Sequence, residues 1–155
     1  DDTIRRNVAF GLADDAVDPA RLDEAVRLAR LDAILAGLPK GLETPVGELG
    51  GRLSGGQRQR ICIARALYHD PALVVMDEAT AALDQPSERE IIDALADFRG
   101  AKTIVMVAHR LASVRHCDHV FFIRAGRLEA EGAYDELVEG SADFRAFAAV
   151  GSGLV

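Results

Sequence analysis

The chain has 155 residues, enough for one domain with a real core, and its 49% hydrophobic and 28% charged residues suit a soluble globular protein. Its 18 basic and 25 acidic side chains leave a net charge of -7, which argues against a nucleic-acid surface resting on phosphate neutralisation. No apolar run approaches the roughly 18 residues of a membrane helix, nothing resembles a signal peptide, and the two cysteines, Cys62 and Cys117, have no framework spacing, as expected in a reducing, cytosolic setting.

The elements follow in chain order from period and punctuation. Asp1 runs at once into TIRRNVAFG, as if the chain were entered in mid-stream, so a piece of a longer polypeptide is expected. DPARLDEAVRLARLDAILAGLP then reads as one helix, with Asp18 as N-cap, Pro19 at the first helical position, Asp23 and Glu24 early, and Gly37 and Pro39 at the far end. Leu28, Leu31, Leu35 and Leu38 recur at threes and fours and give it an apolar stripe. KGLETPVGELGGR is a loop by its glycines and prolines. Ser54 and Gln57, spaced as a capping box, start the next helix, RQRICIARALY, in which Cys62 is expected to be a small core residue.

ALVVM (72–76) and TIVMVA (103–108) are short β-branched runs separated by the helical SEREIIDALADFRG, which predicts a βαβ unit with buried parallel strands. HVFFIRAGRLEAEG predicts a hairpin turning at Ala125-Gly126, and residues 133–150 a helical tail. HCDH (116–119) places two histidines, a cysteine and an aspartate together. Zinc sites space their ligands in separated pairs, so this is expected to be a loop entering a strand.

Three constellations carry chemistry. In LSGGQ (53–57) the helix starts with Gly55 and Gly56, which cost roughly 1 kcal/mol each against alanine. An ordinary capped helix accounts for Ser54 and Gln57 but not for the glycines. A phosphate approaching the free N–H groups and the positive end of the helix dipole accounts for all of them, with Ser54 adding a hydroxyl. Asp77 and Glu78 follow a predicted strand directly, where two carboxylates are placed for a metal and a water, or simply start the next helix. His109 ends the following strand, as a catalytic group or a structural hydrogen-bonder.

In this order, LSGGQRQR, strand-DEATAALD and strand-AHR resemble the nucleotide-binding domain of ABC transporters over nearly the whole chain. The resemblance implies an α/β fold: a P-loop NTPase-like parallel sheet flanked by helices, with a helical signature subdomain and its N-terminal part missing. It divides the chain at about residues 1–60 (helical, signature part), 61–132 (α/β core) and 133–155 (C-terminal helical tail). Leu53, Ser54, Gly55, Gly56 and Gln57 would be the signature motif that meets the γ-phosphate of ATP held by a second nucleotide-binding domain, in a homo- or heterodimer. Asp77 would hold Mg²⁺ through water, Glu78 would orient or deprotonate the attacking water, and His109 would contact the γ-phosphate. Ala81 to Asp84 resembles the D-loop at the dimer interface, with Ala81 in place of its usual serine. TPVGELG (44–50) resembles the loop through which exporters touch the transmembrane domain, with Glu48 carrying the contact at the cytoplasmic face of the cell membrane. The run HRLASVRHCDHVFFIRAGRLEAEGAYDEL has the flavour of lipid and oligosaccharide flippases.

No GxxxxGK[ST] loop, adenine-stacking aromatic or glutamine loop is present, so the 155 residues alone are not expected to hold ATP tightly or to be active. The expected function is ATP hydrolysis that powers an exporter. The alternatives are a soluble ABC-type ATPase acting on DNA or ribosomes, and a non-catalytic truncated remnant. The acidic balance counts against the first.

Overall fold

A computed structural model describes residues 1–77, 82–96, 98, 100–107 and 111–151. The chain divides into two compact units, Asp1–Val105 and Met106–Val155.

In the first unit, α1 (Ile4–Val8), α2 (Pro19–Leu28) and α4 (Gly55–Tyr68) pack together. The Asp18 carboxylate caps α2 by accepting from the Ala20 and Arg21 N–H groups at 2.9 and 3.3 Å, with Pro19 next in the chain, as the sequence predicts. Ile4, Val8, Leu22, Ala25, Ile61, Ile63 and Leu67 are buried, each large apolar side chain contributing about 1.5–3 kcal/mol on leaving water. Polar clamps fix the register. The Asp18 N–H donates to Tyr68 Oη (2.9 Å), and the Arg65 guanidinium donates to Asn7 O (2.6 Å) and Oδ1 (2.8 Å). The chain start is tied down by the Ile4 N–H on Thr44 O (3.0 Å) and the Val46 N–H on Asp2 O (2.9 Å).

The single long helix expected from Asp18 onward is instead two. It stops at Leu28, and α3 (Asp32–Ala36) resumes after a break. The break is a Schellman cap: the Leu31 N–H reaches Val26 O (3.0 Å) and the Arg30 N–H reaches Arg27 O (3.1 Å), with Arg30 left-handed at φ 53°. Leu31 is thereby turned inward and fully buried. Cys62 also departs from expectation. The inner face of α4 is taken by Arg60, Ile61, Ile63, Ala64, Leu67 and Tyr68, and position 62 points outward, leaving the thiol exposed.

The βαβ unit forms as predicted, with β1 (Leu73–Asp77) beside β2 (Thr103–Val107) in a two-stranded parallel sheet and α5 (Gln85–Ala96) between them in sequence. The strands are not buried on both faces. Val74 and Met76 are buried, but Leu73 and Val75 remain 54% and 63% exposed, because among the described residues nothing covers that face. At the start of β1, Lys102 Nζ pairs with the Asp70 carboxylate and donates to Pro71 O (3.0 Å).

In the second unit, a short helix α6 (Leu111–Val114) precedes the antiparallel hairpin of β3 (Val120–Arg124) and β4 (Arg127–Gly132). The hairpin turns at Ala125-Gly126 as predicted, both residues having positive φ (48° and 74°), the geometry of a type I′ turn. The tail is helical as expected but broken at Ser141 into α7 (Tyr134–Gly140) and α8 (Ala142–Gly151). Its core is Val120, Leu137, Phe144 and Ala148, with Phe144 edge-on to Phe122 and Tyr134. In the HCDH stretch, the His119 ring lies tilted against Phe121 with centroids 4.7 Å apart and has Glu131 at 3.6 Å across the hairpin.

Candidate functional site

The predicted capping box forms at the start of α4. The Ser54 N–H donates to Gln57 Oε1 (2.8 Å), and the Gln57 N–H donates to Ser54 Oγ (3.2 Å). The box uses only oxygens of Ser54 and Gln57 as acceptors, so the hydroxyl proton and the amide NH₂ are donors it does not consume. The Gly55 and Gly56 N–H groups lie in the first turn, where a helix offers no intrahelical acceptor. The loop behind is braced by Arg58, which donates to Leu53 O (2.7 Å) and Gly50 O (3.3 Å). Leu53 itself is buried and anchors the entry to the helix.

This helix start is the floor of an open cleft of about 870 Å³. One wall is the α2–α3 junction, at Arg30, Asp32 and Ile34; the other is Ala82 to Asp84 with Ser87 and Glu90 of α5. The second wall stands close to the floor. A Cβ on Gly56 would come within 3.3 Å of Leu83 Cδ2, and one on Gly55 within 3.4 Å of Ala82 Cβ. Gln59 Oε1 accepts from the Ala82 N–H (3.0 Å) and holds that segment in place. Gly56 therefore has a packing reason inside the chain, which sequence reasoning did not supply, whereas a Cβ on Gly55 would make only ordinary contact.

Asp84 starts α5 by accepting from the Ser87 N–H (3.1 Å). Hydrogen bonds from the Ser87 side chain and backbone hold its carboxyl below the ordinary aspartate range, with a smaller pull from Arg60. The cleft thus brings Ser54, Gly55, Gly56, Gln57 and Asp84 together. Its donors, a hydroxyl, an amide and first-turn N–H groups, suit an anionic phosphate. Asp77 ends β1 as an exposed carboxylate, apart from the cleft lining, and suits a hydrated divalent cation. Glu48 is exposed at the head of a 3-10 turn, also outside the cleft, next to Leu49, which is 94% exposed. Glu78, Ala81 and His109 lie outside the described residues.

Sequence reasoning missed Arg60, which lines the cleft and is buried. The available signal was a charged residue at the same helical register as Ala64 and Leu67, on the apolar face of α4.

The sequence matches the family described as ABC transporter over residues 2–81. It is 48% identical over 147 residues to the mycobactin import ATP-binding/permease protein IrtB of Mycolicibacterium thermoresistibile, a match covering 95% of this chain and 25% of that protein. It is 42% identical over 138 residues to the ATP-dependent lipid A-core flippase of Cupriavidus metallidurans, covering 88% and 23% respectively. Among solved structures, a bacterial Atm1-family ABC exporter with ATP bound superimposes with a TM-score of 0.89 at 33% identity, over 97% of this chain and 26% of that one. The chain spans about a quarter of the length of these relatives. With the family matched over half the sequence and relatives matched over nearly all of it, the chain belongs to the ABC transporter family.

Proposed function

We propose that this chain is the signature-bearing part of a nucleotide-binding domain that binds and hydrolyses ATP to power an exporter. The observation that carries the reading is the cleft at the start of α4, where Ser54, the two glycines, Gln57 and Asp84 converge. Leu53 to Gln57 offer their donors to the γ-phosphate of ATP held by a second nucleotide-binding domain, and Asp84 stands at the interface between the two. Asp77 would hold Mg²⁺, which would supply charge neutralisation at the phosphates. Glu78 orients the attacking water and accepts its proton, and His109 contacts the γ-phosphate. Glu48 meets the transmembrane domain at the cytoplasmic face of the membrane.

The named flippase and the flippase-like run at residues 109–137 support a lipid or lipid-linked saccharide as cargo. The 48% identity to a mycobactin import protein supports a second reading, import. Transport of fluorescent lipid in vesicles carrying the full-length transporter separates the two.

The test of the nucleotide site is Ser54→Ala in the full-length transporter. Because the contact is made across the dimer, ATP-driven closure should weaken while the separate subunit keeps its nucleotide affinity. Loss of nucleotide binding by the isolated subunit would overturn the reading.

A further inference from the structure

Arg60 is the buried cation of the cleft, with a side chain 8% exposed. Its Nη1 donates to Ala29 O (3.3 Å) and Arg30 O (3.1 Å), the carbonyls of the Schellman cap that ends α2. Its Nη2 stands 3.7 Å from Glu90 Oε2 on α5. One guanidinium, carried on α4 and lining the cleft, therefore joins its two walls. The geometry suits arginine alone among cations, because a planar fork serves partners in two directions, whereas a lysine ammonium is a compact charge on a flexible stem. The wall it holds needs support: Arg30 is a non-glycine residue at φ 53°, and Arg60 bonds to that residue's own carbonyl and to the one before it.

We propose that Arg60 is a positioning residue whose guanidinium, tied to Ala29 and Arg30 on one wall and Glu90 on the other, sets the width of the cleft that receives the partner domain's nucleotide. The inference rests on the nucleotide reading of the cleft. Its bonds go to the two walls, so it acts through where it holds Ala29 and Arg30 on one side and Glu90 on the other. A cleft held slightly too wide still permits ATP to bind to its own subunit, but presents the Ser54 and glycine donors at the wrong distance when the domains close. Misplacement of about 1 Å is enough to lower a rate by about a hundredfold.

The experiment uses the full-length transporter with Arg60→Lys, Glu90→Arg and Ser54→Ala, measuring ATPase kcat and KM together with ATP-driven closure by cross-linking of the two domains. Arg60→Lys should lower kcat about tenfold or more and weaken closure, while KM for ATP stays within about twofold. Glu90→Arg, at a position whose side chain is 59% exposed, should push the same guanidinium away and lower kcat about threefold in the same pattern. If Arg60→Lys does not fold, Glu90→Arg carries the test alone. Unchanged kcat in the folded variants, or a rise in KM without loss of closure, overturns the positioning role. If Ser54→Ala weakens closure and the Arg60 and Glu90 variants do not, only this inference fails. If Ser54→Ala leaves closure and turnover intact, the nucleotide reading fails and this inference with it.

Discussion

Gly56 and Leu83 meet so closely that a Cβ on the glycine would stand 3.3 Å from Leu83 Cδ2, whereas the same addition at Gly55 meets Ala82 Cβ at an ordinary 3.4 Å. Two adjacent helix-start glycines therefore do different jobs. Alanine improves helix propensity by up to about 1 kcal/mol at either site, but at Gly56 it must also displace a buried leucine, and overpacking costs about 1–3 kcal/mol. Gly55→Ala should raise the urea midpoint of the chain and Gly56→Ala should lower it. In a Leu83→Ala background the Gly56→Ala change should become neutral or stabilising. Equal effects of the two substitutions would refute the packing account. Turnover of a Gly55→Ala transporter reads the other role: a stabler protein that hydrolyses ATP at least tenfold more slowly would show that the missing Cβ gives access to phosphate.

Arg30 offers a second stability test. It occupies, at φ 53°, the cap position where helices most often place glycine. A left-handed non-glycine residue costs about 1–2 kcal/mol, part of which glycine gives back through its larger unfolded-state freedom. Arg30→Gly should therefore stabilise the chain by about 0.5–1 kcal/mol, read as a higher thermal midpoint. A lower midpoint would mean that the Arg30 side chain itself contributes more than the strain it imposes.

These positions also show where the sequence is legible. Asp18-Pro19, the Ser54/Gln57 pair and Ala125-Gly126 each act through bonds within a few residues, and the structure has each where the sequence puts it. The break at Arg30 is not legible, because its cap lacks the usual glycine and is supported by Arg60, thirty residues away. The same holds for Gly56, whose neighbour Leu83 comes from a distant loop. Cys62 falls on the outer face against expectation because a small apolar residue fits either face of an amphipathic helix. The β-branched runs of β1 and β2 predict burial on both sides, but among the described residues only one face of β1 is covered, since such a pattern records strand propensity and not the neighbours present. Of the candidate site, the signature stretch was legible as a local motif; its walls were not, since Arg30, Leu83 and Glu90 reach it through tertiary packing.

Two aspartates make a part of the fold's stability depend on pH. Asp70 is held below the ordinary value of 3.8, first by the hydrogen bond from Lys102 and then by its charge. Asp84 is held below it by the Ser87 hydrogen bonds. A carboxylate whose folded value is depressed stabilises fully above its unfolded value and loses that contribution as pH falls through the folded one. The stability these two groups provide should therefore be constant from about pH 7 to about pH 5 and decline below about pH 4. The double variant Asp70→Asn/Asp84→Asn should be less stable than the parent near neutrality, and the difference should shrink as pH falls into that range. Urea midpoints measured across the range decide it. A gap that persists unchanged at low pH would mean that neither carboxylate is ionised to any purpose in the fold.

Glu78 carries the sharpest prediction about chemistry. A glutamine in its place retains an oxygen that can accept a hydrogen bond from water and keeps nearly the same volume, but an amide cannot take the proton that water must lose on attacking the γ-phosphate. In the full-length transporter, Glu78→Gln should therefore leave ATP binding intact and favour the closed dimer, because closure is no longer relieved by hydrolysis. Turnover should fall by about a hundredfold or more, the scale of a lost general base. Ser54→Ala added to it should reopen the dimer, since the glutamine variant depends on the signature contact to stay closed. Parent-like turnover in Glu78→Gln would remove Glu78 from the mechanism. A dimer that stays closed in the double variant would instead move the closing contact away from the start of α4 and leave the catalytic carboxylate standing.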